Sequence, residues 1–251
     1  MWQVAYIVIA HHTWRHYGDQ GLLTNHYPGL KMLLDYFERN ADAATGLLDT
    51  ACYGDWIDAG NKITPPGSVS AFYYVLAYQY MHDIAAALGN EKDAAAFASQ
   101  FDAGRSAYHR AYYNATAGGY SAVDRAPRGS QTSNAMALAI NAPPDAATRK
   151  TVEEALIWDV QTLWQNHTSS GIVGQAWVTP MLAAAGRGDL ALAILRADTV
   201  PSFGNMLANN QTTLCESWSC NLTSPSGSSH NHIMVREGGG RLGVGEGLQG
   251  G

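Results

Sequence analysis

Val69-Ser70-Ala71-Phe72-Tyr73-Tyr74-Val75-Leu76-Ala77-Tyr78-Gln79-Tyr80-Met81-His82-Asp83-Ile84-Ala85-Ala86-Ala87-Leu88-Gly89-Asn90-Glu91 is the run that decides the fold. Val69, Phe72, Tyr73, Leu76, Tyr80, Ile84 and Leu88 recur at three- and four-residue intervals, the period of a helix with a buried face. Gly89 stops it. A second helical pattern starts at once from Glu91 and carries Phe97, Phe101, Tyr108 and Tyr112. Two helices separated only by Gly89-Asn90 must lie antiparallel, so the run predicts an α-hairpin.

The same pattern extends in both directions. Upstream, Trp2, Ala5, Tyr6, Ile9 and Thr13 share one helical face that Gly18 ends. A second helix is expected near Pro28, which suits a first turn, with Tyr27, Leu30, Leu33, Leu34 and Phe37. Downstream, helices are predicted over Gln131 to Asn141, after the break and cap Pro143-Pro144-Asp145, from Gly174 to Ala185, and from Asp189 to about Ala197. Strand alternation is scarce, so the fold class is all-α. Short links fall inside each pair: 18–25, 89–90, 142–144 and 186–188. Longer ones fall between pairs: 44–68, 113–130, 165–173 and 198–213. That alternation is expected of a circle of α-hairpins with the long loops on one rim, where a site is usually built.

Composition narrows the function. The 251 residues carry a net charge of −6 with 15 Lys and Arg and no basic run, which argues against a nucleic-acid partner. No apolar stretch approaches the roughly 18–20 residues of a membrane span. Trp2 to Ala10 lacks a basic n-region, so it reads as a core helix and not a signal peptide. Sequons at Asn114, Asn166, Asn210 and Asn221 point toward a secreted protein. Three cysteines imply no full disulfide framework; Cys215 and Cys220 are read either as a local bridge or as two free thiols. His12 and His16 lie one helical turn apart without a third ligand, so a solvated face is the reading there and no metal or cofactor is expected. Nothing resembles a phosphate-binding loop.

The chemistry concentrates near the end, in Thr212-Thr213-Leu214-Cys215-Glu216-Ser217-Trp218 followed by Ser229-His230-Asn231-His232. A carboxylate beside an indole, with imidazoles a dozen residues on, suits a sugar pocket: Trp covers an apolar ring face and polar groups read hydroxyls. The hairpin circle would gather Trp2, Asp55 and Trp56, Glu216, and the loops around residues 114–120 and 167–171 on its loop rim. Two carboxylates and two Trp side chains on a concave face suggest carbohydrate chemistry.

With Tyr53-Gly54-Asp55-Trp56 included, the chain resembles the catalytic domain of the α-L-rhamnosidase family of glycoside hydrolases. The resemblance rests on landmarks in order: Trp2, Tyr27-Pro28-Gly29-Leu30-Lys31, Tyr53-Gly54-Asp55-Trp56, Phe72-Tyr73-Tyr74, Leu88-Gly89-Asn90, Gln131-Thr132, Ser170-Gly171-Ile172-Val173-Gly174, Thr212 to Trp218, and Asn231-His232. It implies an (α/α)6 six-hairpin toroid, here partial, with about nine of the twelve helices over residues 1–235. It also implies inverting hydrolysis of a rhamnose-containing glycoside or oligosaccharide. Glu216 would be the general base, Trp2 and Trp56 aromatics against the sugar, His232 a hydroxyl partner, and Trp218 the packing beside the base. Asp55 is left between hydroxyl binding and loop anchoring. An inverting pair needs its carboxyls about 6.5–9.5 Å apart, and the family's acidic motif lies upstream of the helix that opens here, so the chain is expected to lack its general acid. Two further departures are Gln3 and Val4, where the family tends to place an acidic residue, and 236–251, which is half glycine and is expected to be a disordered non-family tail. Both ends depart from the family, which is the expectation for a truncated gene model. A non-catalytic sugar-binding remnant and a different six-hairpin glycosidase are the alternatives.

Overall fold

The structure, a computed structural model, describes residues 2–50, 53–220 and 229–232. The glycine-rich tail 236–251 and the Asn221 sequon lie outside the described residues. The described chain is helical, with nine α-helices and one two-stranded ladder. None of these helices is long and apolar enough to cross a membrane. Two compact units emerge: Met1–Gly54 with Pro66–Tyr113 and Ile140–Pro144, and Asp55–Pro65 with Asn114–Ala139 and Asp145–Gly251.

In the first unit a 3-10 turn, Trp2–Val4, leads into α1 (Ala5–Tyr17). Gly18 ends α1 in the left-handed conformation and returns its N–H to the Trp14 carbonyl. The buried face is Val4, Ile7, Ala10 and His11, not the predicted Trp2, Ala5, Tyr6, Ile9 and Thr13 face, and Ile9 is 62% exposed. Residues 4 to 10 are apolar on every side apart from the Tyr6 hydroxyl, so periodicity alone does not choose a stripe. His11 stacks on Tyr80 and bonds Asp83 at 2.9 Å, which makes a polar residue part of the buried stripe.

Helix α2 (Gln20–Arg39) begins eight residues before Pro28, because Asp19 caps it by accepting from the Leu22 N–H. Pro28 sits inside the helix, and the link to α1 shrinks to Gly18-Asp19. The decisive hairpin is α3 (Pro66–Ala87) and α4 (Glu91–Tyr112), turning at Gly89 with φ 72°. Close approach of the two is permitted by Gly104, where a Cβ would stand 3.1 Å from Val75.

In the second unit α5 (Gln131–Ala139) pairs with α6 (Ala146–Trp158), which Asp145 caps through the Thr148 N–H. A π-helical turn, Asp159–Leu163, extends α6. Helices α7 (Ile172–Ala184) and α8 (Gly188–Arg196) form the next hairpin. A short helix, α9 (Phe203–Ala208), capped by Ser202, occupies the link predicted as loop over 198–213. Six residues offer too little periodicity to announce a helix. The predicted loop 113–130 likewise contains a two-stranded ladder, β1 (Tyr113–Asn114) and β2 (Gly119–Tyr120).

The first turn of α5 is polar yet wholly buried: Gln131, Thr132, Ser133 and Asn134. Buried polar groups need partners, and these find them in loops. Asn134 accepts the Tyr120 N–H and donates to the Arg128 carbonyl. Gln131 donates to the His167 carbonyl and accepts the Ser169 N–H. Thus α5 organises the loops of this unit from one helix end.

Candidate active site

Glu216 is fixed first by its own backbone. Its N–H donates to the Ser229 carbonyl at 2.8 Å, and the His232 N–H donates to the Leu214 carbonyl at 2.8 Å, lashing 214–216 to 229–232. A Cys215–Cys220 disulfide closes the turn around it, so of the two sequence readings the bridge is the one present. The carboxylate then meets two donors. The Trp56 indole N–H reaches one oxygen at 2.7 Å and the Ser229 N–H the other at 2.9 Å. His232 Nδ1 stands 3.9 Å from the second oxygen. The Trp56 hydrogen bond chiefly, then the Ser229 N–H and the charge of His232, hold Glu216 below the usual carboxylate range. Its side chain keeps 17% exposure, and with Ile172, Met206, Cys215 and Trp218 it lines a shallow recess.

Trp56 is delivered to Glu216 by its neighbour Asp55. The Asp55 carboxylate is buried and accepts from the Thr132 hydroxyl, the Gly171 N–H at 2.8 Å and the Gly174 N–H at 2.7 Å. Trp56 itself accepts the Ile172 N–H through its carbonyl at 2.9 Å. These bonds tie the 55–56 loop onto the start of α7. Both glycines are needed for close approach. A Cβ at Gly171 would stand 2.3 Å from the Trp56 carbonyl oxygen, and one at Gly174 2.0 Å from the Thr132 hydroxyl. Burial pushes Asp55 up to about 6 against the lowering effect of its three donors. The Trp218 indole N–H donates to the Ser170 carbonyl at 2.9 Å, while its ring packs edge-on to Phe203.

A family profile described as the bacterial alpha-L-rhamnosidase 6 hairpin glycosidase domain matches residues 1–239. The chain belongs to this family. An alpha-L-rhamnosidase of Streptomyces avermitilis is 29% identical over 92% of this chain, which corresponds to 22% of that relative. Among solved structures, the alpha-L-rhamnosidase from Dictyoglumus thermophilum superposes with a TM-score of 0.85 at 30% identity, covering 94% of this chain and 26% of that one. The Streptomyces avermitilis enzyme complexed with L-rhamnose gives a TM-score of 0.73 at 27% identity, over 88% of this chain and 20% of that one. The chain therefore spans about a quarter or less of the length of these relatives. The helical hairpins of both units fit the six-hairpin class expected from the sequence.

Within this rhamnosidase-family chain, the second unit brings together Asp55, Trp56, Glu216, Trp218 and His232. Trp2 belongs to the first unit, where its ring meets Tyr53 edge-on at 6.2 Å and its indole N–H is buried without a hydrogen-bond partner among the described residues. Sequence reading gave Asp55 two roles; its carboxylate oxygens are occupied by donors from α5 and from the start of α7. It gave Ser229 no role of its own, because its contribution is a backbone N–H that no side-chain pattern announces. Gly171 has φ −86°, so what it supplies is space beside the Trp56 carbonyl. Sequence reading also overlooked Asp159, wholly buried at the start of the π-turn, with no donor in hydrogen-bond geometry to either oxygen among the described residues. Burial pushes Asp159 up to about 7, with the Gln131 amide opposing.

Proposed function

We propose that this chain is the base-bearing part of a hydrolase of terminal α-L-rhamnosides that inverts the anomeric centre. Glu216 acts as general base, drawing a proton from the water that attacks the anomeric carbon. The observation that carries the reading is the pair of donors on its carboxylate. One N–H on each oxygen keeps the group ionised and fixes its plane, and the remaining lone pairs are left for a water. A lowered pKa weakens a base but guarantees its charged form at acidic pH, where a partner acid is still protonated. Trp56 and Trp218 flank the base, with Trp56 the aromatic nearer the sugar, and His232 bonds a hydroxyl. Asp55 is assigned to anchoring the Trp56 loop. For Trp2 the assignment as a sugar-facing aromatic rests on the family resemblance alone.

The general acid is not assigned to any carboxylate of this chain, an assignment that rests on the family resemblance alone. Turnover of ordinary rhamnosides by these 251 residues alone is then expected to be about 10²–10⁴-fold below that of a site with both groups. A 2,4-dinitrophenyl α-L-rhamnoside, whose leaving group needs no proton, isolates the base. With it, Glu216→Gln should lower kcat/KM by about 10²–10⁴-fold, and proton NMR should show the β-anomer as first product. Undiminished turnover in the variant removes Glu216 from the mechanism, and an α-anomer as first product removes inversion. L-rhamnose binding, followed by Trp fluorescence, should survive in the variant.

A further inference from the structure

Cys215, Cys220 and His230 form a cluster that the hydrolase reading does not use. The ligand atoms of the three lie within 4.8 Å of one another, the one such group of His, Cys, Asp and Glu among the described residues. His230 Nδ1 is 3.4 Å from the Cys220 sulfur and 3.4 Å from Gln211 Oε1. Both cysteines are buried. The backbone holding His230 is pinned on either side, by the Ser229 and His232 hydrogen bonds and by the Thr213 hydroxyl donating to the His230 carbonyl.

We propose that, once the Cys215–Cys220 bridge is reduced, these three side chains form a binding site for a thiophilic divalent ion of the zinc class. Tetrahedral zinc with sulfur ligands at ~2.3 Å and imidazole nitrogen at ~2.0 Å sets a sulfur-to-nitrogen edge of ~3.5 Å. The Cys220–His230 separation is already at that edge, with His230 on the same side as both sulfurs. Two thiolates neutralise a dication, so the ion enters a buried site without leaving net charge there. Gln211 Oε1, 3.4 Å from His230 Nδ1, is a further oxygen beside the cluster. Glu216, although next in sequence to Cys215, is held away from the cluster by Trp56 and Ser229. Opening the bridge takes two electrons and two protons from a dithiol, which leaves as its own disulfide. Zinc then displaces the two thiol protons to solvent. The inference is independent of the hydrolase reading.

The test uses the 251-residue chain carrying Cys52→Ser, so that the pair supplies all thiols. It is reduced with dithiothreitol and desalted without oxygen. The expected result is one equivalent of Zn²⁺ bound per reduced chain and none per oxidised chain. Co²⁺ in place of zinc should give the sulfur-to-cobalt charge-transfer band and the visible bands of tetrahedral coordination. His230→Ala leaves the bridge intact and should weaken binding by the reduced chain at least about ten-fold, since even outer-shell changes cost 10–100-fold. Failure of the reduced chain to bind, equal binding by the oxidised chain, or unchanged affinity in His230→Ala overturns the proposal. So does a loss of far-ultraviolet helical signal on reduction that zinc does not restore.

Discussion

Asp159→Asn should make the protein more stable at pH 8 and leave it nearly unchanged at pH 4. Asp159 is wholly buried where α6 passes into its π-turn, and neither carboxylate oxygen meets a donor among the described residues. Burial raises it from the ordinary 3.8 to about 7. A carboxyl raised in this way binds its proton more tightly in the folded chain than in the unfolded one. The stabilisation is complete below pH ~4 and is lost as pH rises through 7. At 1.36 kcal/mol per pH unit the loss comes to ~4 kcal/mol. The amide is close to isosteric with the acid and never ionises, so the variant escapes that loss.

The measurement is urea unfolding of parent and variant at both pH values. With slopes of ~1–3 kcal/mol per molar urea, the variant's midpoint should gain roughly 2 M on the parent's between pH 4 and pH 8. At pH 4 both side chains are neutral and the difference should stay within about 1–2 kcal/mol. Asp55, pushed up to about 6 for the same reason, adds its own pH dependence to both proteins and cancels in the comparison. A difference between the two proteins that does not change with pH refutes the reasoning, because it would mean that Asp159 ionises in the folded chain as freely as in water. A change of opposite sign would mean that Asp159 is charged and paired.

Trp56→Phe removes the donor that contributes most to lowering Glu216. The acidic limb of the kcat/KM–pH profile, measured with the dinitrophenyl rhamnoside, should move to higher pH. Loss of one charge-assisted hydrogen bond of ~1.5–3 kcal/mol should lower kcat/KM about ten-fold or more; an unmoved limb removes Trp56 from the control of the Glu216 carboxylate. Gly174→Ala places a methyl 2.0 Å from the Thr132 hydroxyl and 2.8 Å from Asp55. It should lower unfolding stability by about 1–3 kcal/mol, and a neutral result would show that the loop anchored by Asp55 yields readily.

The α3–α4 hairpin was legible because a long apolar repeat, a helix-stopping Gly89 and an immediate restart at Glu91 all point to one structure. Other parts were ambiguous for local reasons. Residues 4–10 are apolar enough on either face to hide which stripe packs. Pro28 imitates a helix start although Asp19 supplies the cap. Cys215 and Cys220 are close enough in sequence for a bridge, but only their side-chain placement decides between a bridge and two thiols.

The ionisation of the carboxylates was illegible for a deeper reason. Glu216, Asp55 and Asp159 belong to one chemical class, yet their environments drive them apart. Glu216 meets an indole N–H from 160 residues away and a backbone N–H from 13 residues away, and it is held low. Asp55 meets three donors, two of them more than 100 residues distant, yet burial outweighs them. Asp159 meets none in hydrogen-bond geometry among the described residues, and burial raises it furthest. Separated pKa values are how one fold assigns acid, base and structural duties to like side chains. Between pH 5 and 6 Glu216 is charged while Asp159 is mostly neutral. That difference is set by how deeply each carboxylate is buried and by which donors reach it, the Trp56 indole first among them for Glu216, a property of the folded chain and not of the residues nearby in sequence.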